Sequence, residues 1–227
     1  MNCHEKIVSR RKMLTMALAL GGAAAARPIG SAFAQEAKRQ LTPSQGMGPF
    51  YPLIKELDRD ADLTVIRGKA GRAQGRVIHL AGRVLNLKGE PVRGARIEIW
   101  QANTHGRYAH PSDLNPAPLD PHFQGYAFQV TDAEGRYRFK TIKPGQYPSG
   151  FNHGQLRTPH IHFDVTARND RLVTQMYFPG EQLNEQDPIY RNLGARQGAS
   201  ICQALPSSKG GEPDALTMMW DIILPKG

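Results

Sequence analysis

Arg157–Val165 reads RTPHIHFDV. Its second part alternates, with His160, His162 and Asp164 interleaved with Ile161, Phe163 and Val165. A period of two is the mark of a β-strand, in which successive side chains point to opposite faces. The stretch therefore predicts a strand with one apolar face turned to a core. The same geometry sets His160 and His162 side by side on the other face. Imidazole is a common ligand for transition metals, but a lone H-x-H pair is a weak signal, because most such pairs are polar surface.

The chain on either side repeats the strand pattern. VIHLAGRVLN (77–86), ARIEIWQAN (95–103), YAFQVTD (126–132), YRFKTIK (137–143), LVTQMYF (172–178) and LTMMWDIIL (216–224) are short, β-rich runs. Gly, Pro, Asn and Asp punctuate them, which predicts an all-β fold, a single β-sandwich domain with little helix. Ala133–Gly135 reads as a hairpin-like connection, and 168–171 joins the strand of the histidines to the next. Two long loops interrupt the pattern. Residues 104–125 hold four prolines and three histidines, and 144–159 follow the fourth run. Long loops in a compact domain are usually functional, so both are candidate active-site loops.

Residues 1–34 stand apart. Ser9-Arg10-Arg11-Lys12, an Ala/Leu-rich run and Ala32-Phe33-Ala34 have the layout of a signal peptide of twin-arginine type, which predicts export to the periplasm or beyond. The apolar run is broken by Gly21, Gly22 and Arg27, too short for a membrane span. The predicted domain is 35–227, with 35–75 an irregular N-terminal arm. Five of the 29 basic residues and one of the 20 acidic residues fall in the signal, so 35–227 carries net +5. That suits a small anionic substrate, and no basic, aromatic-interleaved strip points to nucleic acid. Cys3 lies in the signal, which leaves Cys202 without a disulfide partner; a lone thiol of this kind is expected to be a small buried hydrophobe.

Each long loop has a tyrosine beside a turn, Tyr108 in HGRYAHPSD and Tyr147 in KPGQYP. A free phenol has a pKa of about 10, so tyrosine is a ligand at neutral pH only for a strong Lewis acid. Ferric iron is hard, prefers anionic oxygen, and gains charge balance from two phenolates. If Tyr108 and Tyr147 converge on His160 and His162, the four side chains form a site for non-haem Fe(III). Tyr126, Tyr137 and Tyr190 are read instead as core or rim aromatics.

The sequence resembles the intradiol ring-cleavage dioxygenases, in particular the protocatechuate 3,4-dioxygenase type. The resemblance is carried by LTPSQGMGPFYP (41–52), IEIWQANTHGRYAHPSD (97–113), APLDPHFQGY (117–126), TDAEGRYRFKTIKPGQYP (131–148), RTPHIHFDV (157–165) and TQMYFPG (174–180). It implies a β-sandwich with the iron between loops at a sheet edge. Tyr108 and His160 match the equatorial ligands and Tyr147 and His162 the axial ones. Arg157 matches an arginine that contacts the substrate ring, and Gln175 a glutamine lining the same pocket. The implied reactants are a catecholic diol and O2, the implied product a cis,cis-muconate, with Tyr147 giving way to the diol and taking a proton from it. One departure bears on the diol: Ser149 stands where the protocatechuate enzymes usually have tryptophan. A homo-oligomer stays open. Two rivals remain, a non-catalytic ligand-binding sandwich of the cell envelope and a zinc hydrolase. The second lacks a carboxylate ligand motif and leaves both tyrosines unexplained.

Overall fold

The computed structural model describes residues 39–55, 60–149, 154–206 and 212–227. The predicted signal, 1–34, lies outside them. The described strands are β1 (Val77–Asn86), β2 (Arg96–Trp100), β3 (Tyr126–Val130), β4 (Arg136–Ile142), β5 (Tyr147–Pro148), β6 (Leu156–Arg157), β7 (His160–Thr166), β8 (Arg171–Tyr177), β9 (Gln203–Leu205), β10 (Leu216–Met219) and β11 (Ile222–Leu224). Described helix is confined to short pieces: 3-10 turns at Gln182–Gln186 and Gly194–Ser200, and α1 (Pro188–Arg191) between them.

Two sheets enclose the core. In one, β1 pairs antiparallel with β4 and parallel with both β10 and β11, and β9 flanks β10. In the other the order is β3-β2-β7-β8, antiparallel throughout. Ile78, Leu80, Val84 and Phe139 from the first sheet meet Ile97, Ile99, Ile161, Phe163 and Val165 from the second, all buried in one cluster. Each fully buried side chain of this kind is worth about 1.5–3 kcal/mol. The architecture is the all-β sandwich read from the alternation.

Two local expectations are corrected. β3 and β4 are not a hairpin: β3 pairs with β2 and β4 with β1, so the turn between them carries the chain from one sheet to the other. Asp132 holds that turn, its Oδ1 accepting from the Glu134 and Arg136 amides at 3.0 and 2.8 Å. The run 216–224 is two strands, broken at Trp220–Asp221. There Trp220 turns its ring inward against Phe163 (centroids 4.9 Å), and Asp221 Oδ1 accepts from the Arg83 amide at 2.8 Å. Gly82 makes the break possible, since a Cβ there would stand 1.8 Å from the Trp220 carbonyl oxygen.

The outward face of the second sheet carries Glu98 and Trp100 on β2 and His160, His162 and Asp164 on β7, all buried despite facing away from the core. The N-terminal arm covers them. It hydrogen-bonds along β8 from Gln45, and Tyr51 packs edge-on to Trp100 at 4.9 Å.

Candidate metal centre

Three pieces of chain meet at this covered face. β7 contributes His160 and His162. The paired strands β5 and β6 set Tyr147 directly opposite Arg157. The 104–125 loop contributes Tyr108, whose amide donates to Asp113 Oδ2 at 2.7 Å. Asn103 Oδ1 ties the same loop back by accepting from the His105 and Arg107 amides at 2.9 and 3.0 Å.

The four side chains read as ligands come together. The Nε2 atoms of His160 and His162 are 3.2 Å apart, and Tyr147 Oη is 3.3 Å from His160 Nε2. Tyr108 lies edge-on to Tyr147 at 5.3 Å and 6.2 Å from the His162 ring. All four are buried, and the Tyr108 hydroxyl has no hydrogen-bond partner among the described residues. An unpartnered buried hydroxyl is costly unless something absent from the polypeptide satisfies it.

The electrostatics suit a metal. Burial, then the Arg157 charge and the neighbouring imidazole, push His160 well below its ordinary pKa. Burial and Arg157 push His162 down to about 3. Both rings are therefore neutral and free to donate a lone pair. Burial pushes the Tyr108 phenol well above its usual value, with Tyr147 adding to it, and burial raises Tyr147 although Arg157 pulls the other way. Without a cation both phenols stay protonated, so only a strongly Lewis-acidic ion converts them to ligands. Two neutral imidazoles and two phenols fit ferric iron. No three His, Cys, Asp or Glu side chains gather among the described residues, which is the donor set a zinc hydrolase needs.

Surrounding groups hold the rings. His160 Nδ1 lies 2.7 Å from the Thr158 carbonyl oxygen, which fixes its tautomer with Nε2 toward the site. His162 Nδ1 has no such partner among the described residues; its ring stacks on Trp100 instead (4.8 Å, 10°). Gly48 of the arm lies against it with φ +74°, where a Cβ would stand 3.2 Å from His162 Cε1. Phe50 packs on Tyr108 at 4.7 Å and on Tyr147 at 6.2 Å.

Arg157 is buried, and its three nitrogens have separate partners. Nε donates to Asp187 Oδ2 at 2.8 Å, Nη2 to Gln175 Oε1 at 2.7 Å, and Nη1 faces Tyr147 Oη at 3.4 Å. Gln175 is opposite His162 in the β7–β8 register and also receives the Tyr177 hydroxyl at 3.0 Å. Gln45, in the arm, accepts from the same Tyr177 hydroxyl at 2.8 Å and donates to the Gln175 carbonyl at 3.1 Å.

Asp187, Gln45, Gly48 and Phe50 are the site residues that sequence reasoning missed. Gln45, Gly48 and Phe50 fall in the LTPSQGMGPFYP stretch that carries the resemblance, whereas Asp187-Pro188 had only the local signal of a helix N-cap followed by proline. It gave no link to an arginine thirty residues away. Asp164, which had no role on the sequence, lies on the same outward face of β7 as His160 and His162 and pairs with Arg171 at 2.8 and 3.1 Å. Cys202 is buried, its Sγ 3.8 Å from Met218 Sδ, and burial pushes its thiol up to about 12.

A cavity of about 470 Å³ adjoins Tyr108. Phe50, Trp100, Phe123 and Tyr126 form aromatic walls, and Arg67 and Lys69 are the charged residues of its lining.

A family model described as dioxygenase matches residues 47–226. The protocatechuate 3,4-dioxygenase beta chain of Burkholderia cepacia is 43% identical over 187 residues, covering 82% of this chain and 77% of the relative. A hydroxyquinol 1,2-dioxygenase of Corynebacterium glutamicum is 33% identical over 168 residues; the match covers 68% of this chain but only 52% of that enzyme. Among solved structures, the dioxygenase domain of a carbohydrate-binding fusion protein from Streptomyces sp. SirexAA-E superposes with a TM-score of 0.62 at 25% identity, over 83% of this chain and 100% of that one.

Proposed function

The chain belongs to the intradiol ring-cleavage dioxygenases, and from that premise we propose that it uses non-haem Fe(III), held by Tyr108, Tyr147, His160 and His162, to cleave a catecholic diol with O2. The observation that supports this ligand set is the orphaned Tyr108 hydroxyl beside two neutral imidazoles whose Nε2 atoms point at one spot. Bound ferric iron would supply a Lewis acid for both diol oxygens and make the ring reactive toward dioxygen. The chain supplies the rest. Tyr147 Oη, which Arg157 Nη1 contacts at 3.4 Å, is the atom that would take up a proton from an incoming diol. Arg157 sets a fixed positive charge beside the ring, where negative charge builds during cleavage. Gln175 holds that arginine, its Oε1 accepting from Nη2 at 2.7 Å. The arm from Gln45 to Tyr51 excludes water from His162 and Tyr108.

The favoured diol is protocatechuate-like, carrying an anionic substituent. Supporting this are Arg67 and Lys69 in the aromatic-walled cavity next to Tyr108, and the relative from Burkholderia cepacia. The test is oxygen uptake across a panel of neutral and carboxylated catechols, with mass analysis of products and a visible spectrum. Tyrosinate-to-iron charge transfer gives a red to burgundy protein, and the expected product is a muconate. A colourless protein with stoichiometric iron would overturn the ligand set, and extradiol products the reaction.

The reading includes export to the periplasm through the twin-arginine pathway, supported by Ser9-Arg10-Arg11-Lys12 and Ala32-Phe33-Ala34. Cell fractionation should recover the shortened chain outside the cytoplasm. Replacing both Arg10 and Arg11 with Lys should retain it inside, and an unchanged distribution would sink the export reading.

A further inference from the structure

We propose that Asp187 is a positioning residue for this reaction, its carboxylate fixing the Arg157 guanidinium so that the two terminal nitrogens face Tyr147 and Gln175. The inference rests on the dioxygenase reading, because that reading gives Arg157 its work.

Asp187 is fully buried and accepts four donors with its two oxygens. Oδ1 takes the Ile189 and Tyr190 amides at 2.9 and 3.3 Å, which is the N-cap of α1. Oδ2 takes Arg157 Nε at 2.8 Å and the Thr158 amide at 3.1 Å. A cap needs only the first oxygen, and a four-residue helix does not account for a buried carboxylate aimed at an arginine. Three backbone amides from two segments hold Asp187, so the carboxylate itself cannot turn.

The consequence for Arg157 is geometric. A guanidinium is planar, with its donors at fixed angles. With Nε bound to Asp187 and Nη2 to Gln175, the plane is set and Nη1 must point at Tyr147 Oη. Tyr147 and Arg157 are already cross-strand neighbours, so the backbone brings them close and Asp187 supplies the orientation. The same carboxylate holds the Thr158 amide, two residues before His160, and so ties the arginine to the strand that carries both histidines. A buried cation without its partner either reorients or draws in water, and in both cases it leaves the phenol.

The test uses the full chain reconstituted with Fe(III), comparing Asp187→Asn, Asp187→Ser, Arg157→Lys and the double variant Arg157→Lys/Asp187→Asn. Asn keeps an oxygen for the α1 cap but presents an amide donor to Arg157; Ser keeps a cap and no carboxylate, and serves if the Asn variant does not fold. Three quantities are read: kcat per bound iron, the tyrosinate-to-iron absorption band, and the melting temperature. Loss of an outer-shell partner typically costs about 10–100-fold, and that fall in kcat is expected for each single variant, with a shifted band. Residues acting as one unit are not additive, so the double variant is expected within about twofold of the worse single. A lower melting temperature with kcat and band unchanged would reduce Asp187 to a helix cap and overturn the proposal, as would fully additive losses. A wild-type protein with iron but neither absorption nor oxygen uptake would instead bring down the reading beneath it.

Discussion

The Tyr108 hydroxyl is a cost in the metal-free polypeptide, because it is buried beside the Tyr147 phenol with no well-formed hydrogen bond among the described residues. Two opposite effects of Tyr108→Phe follow. In metal-free protein the change removes an unsatisfied polar group, whose burial costs about 1–3 kcal/mol, so the melting temperature should rise. In iron-loaded protein it removes a ligand, so the visible band should lose most of its intensity and iron should dissociate more readily. Calorimetry on the metal-free form and absorption per bound iron on the loaded form check the pair; a band unchanged by the substitution would mean that Tyr108 is not a ligand. Gly48 argues at the same scale from the other side of His162. Its φ of +74° disfavours any L side chain, and an alanine Cβ would press on His162 Cε1 at 3.2 Å. Gly48→Ala should therefore destabilise by about 1–3 kcal/mol through backbone strain alone and weaken iron binding as well. Unfolding in urea and metal titration separate the two effects, and wild-type values in both would remove the arm from the site.

At the scale of elements, the arm stays on the second sheet through a polar clamp as well as through packing. Tyr51 Oη donates to Glu98 Oε2 at 2.5 Å, Lys55 Nζ donates to both of those oxygens, and Arg96 Nε reaches Glu98 Oε1 at 2.8 Å. Burial disfavours the charged form of Glu98, but the bonds from Tyr51, Lys55 and Arg96 outweigh it and hold the carboxyl at about 2. The folded-state value is depressed, so the stabilisation is fully present above the ordinary value of 4.5 and is lost as pH falls from there toward 2. Glu98→Gln should flatten the acid limb of the stability curve in that window and leave the neutral region less changed, measured as unfolding free energy against pH. An identical acid limb would show that the clamp does not hold the arm. This cover was not legible in the sequence. The β7 alternation put His160, His162 and Asp164 on one face, which the structure has, but nothing in 39–55 has a period by which to dock it. The hairpin expected at Ala133–Gly135 failed for a related reason: a short turn is compatible with pairing or with crossing between sheets, and the long β1 competes for β4. Strands β5, β6 and β9, of two or three residues, are too short to show any pattern at all.

Over the whole molecule, local periodicity gave the sandwich, while long-range meeting of side chains had to be seen. Tyr108, Tyr147 and His160 were recognisable as residue types with a shared chemistry, but their convergence depends on two loops and a strand far apart in sequence. Asp187 shows the limit, since its partner Arg157 lies across a loop, the histidine strand and β8. The same convergence would make a bound metal a structural element. Cys202 is the cysteine within the described residues and it is unpaired, so no disulfide ties the described chain together. Iron bound by β5, β7 and the 104–125 loop would do so instead. Ligand that binds only the folded state adds about 2.7 kcal/mol at a hundredfold excess over Kd, which for a domain of this size is on the order of 5–10 °C in melting temperature. Chelating the iron should lower the melting temperature by that amount, and restoring Fe(III) should recover it. Tyr147→Phe should cut the increment, because one ligand is gone, while Glu98→Gln should lower both forms equally and leave the increment intact. A melting temperature indifferent to iron in the wild type would mean that the four side chains converge without binding it.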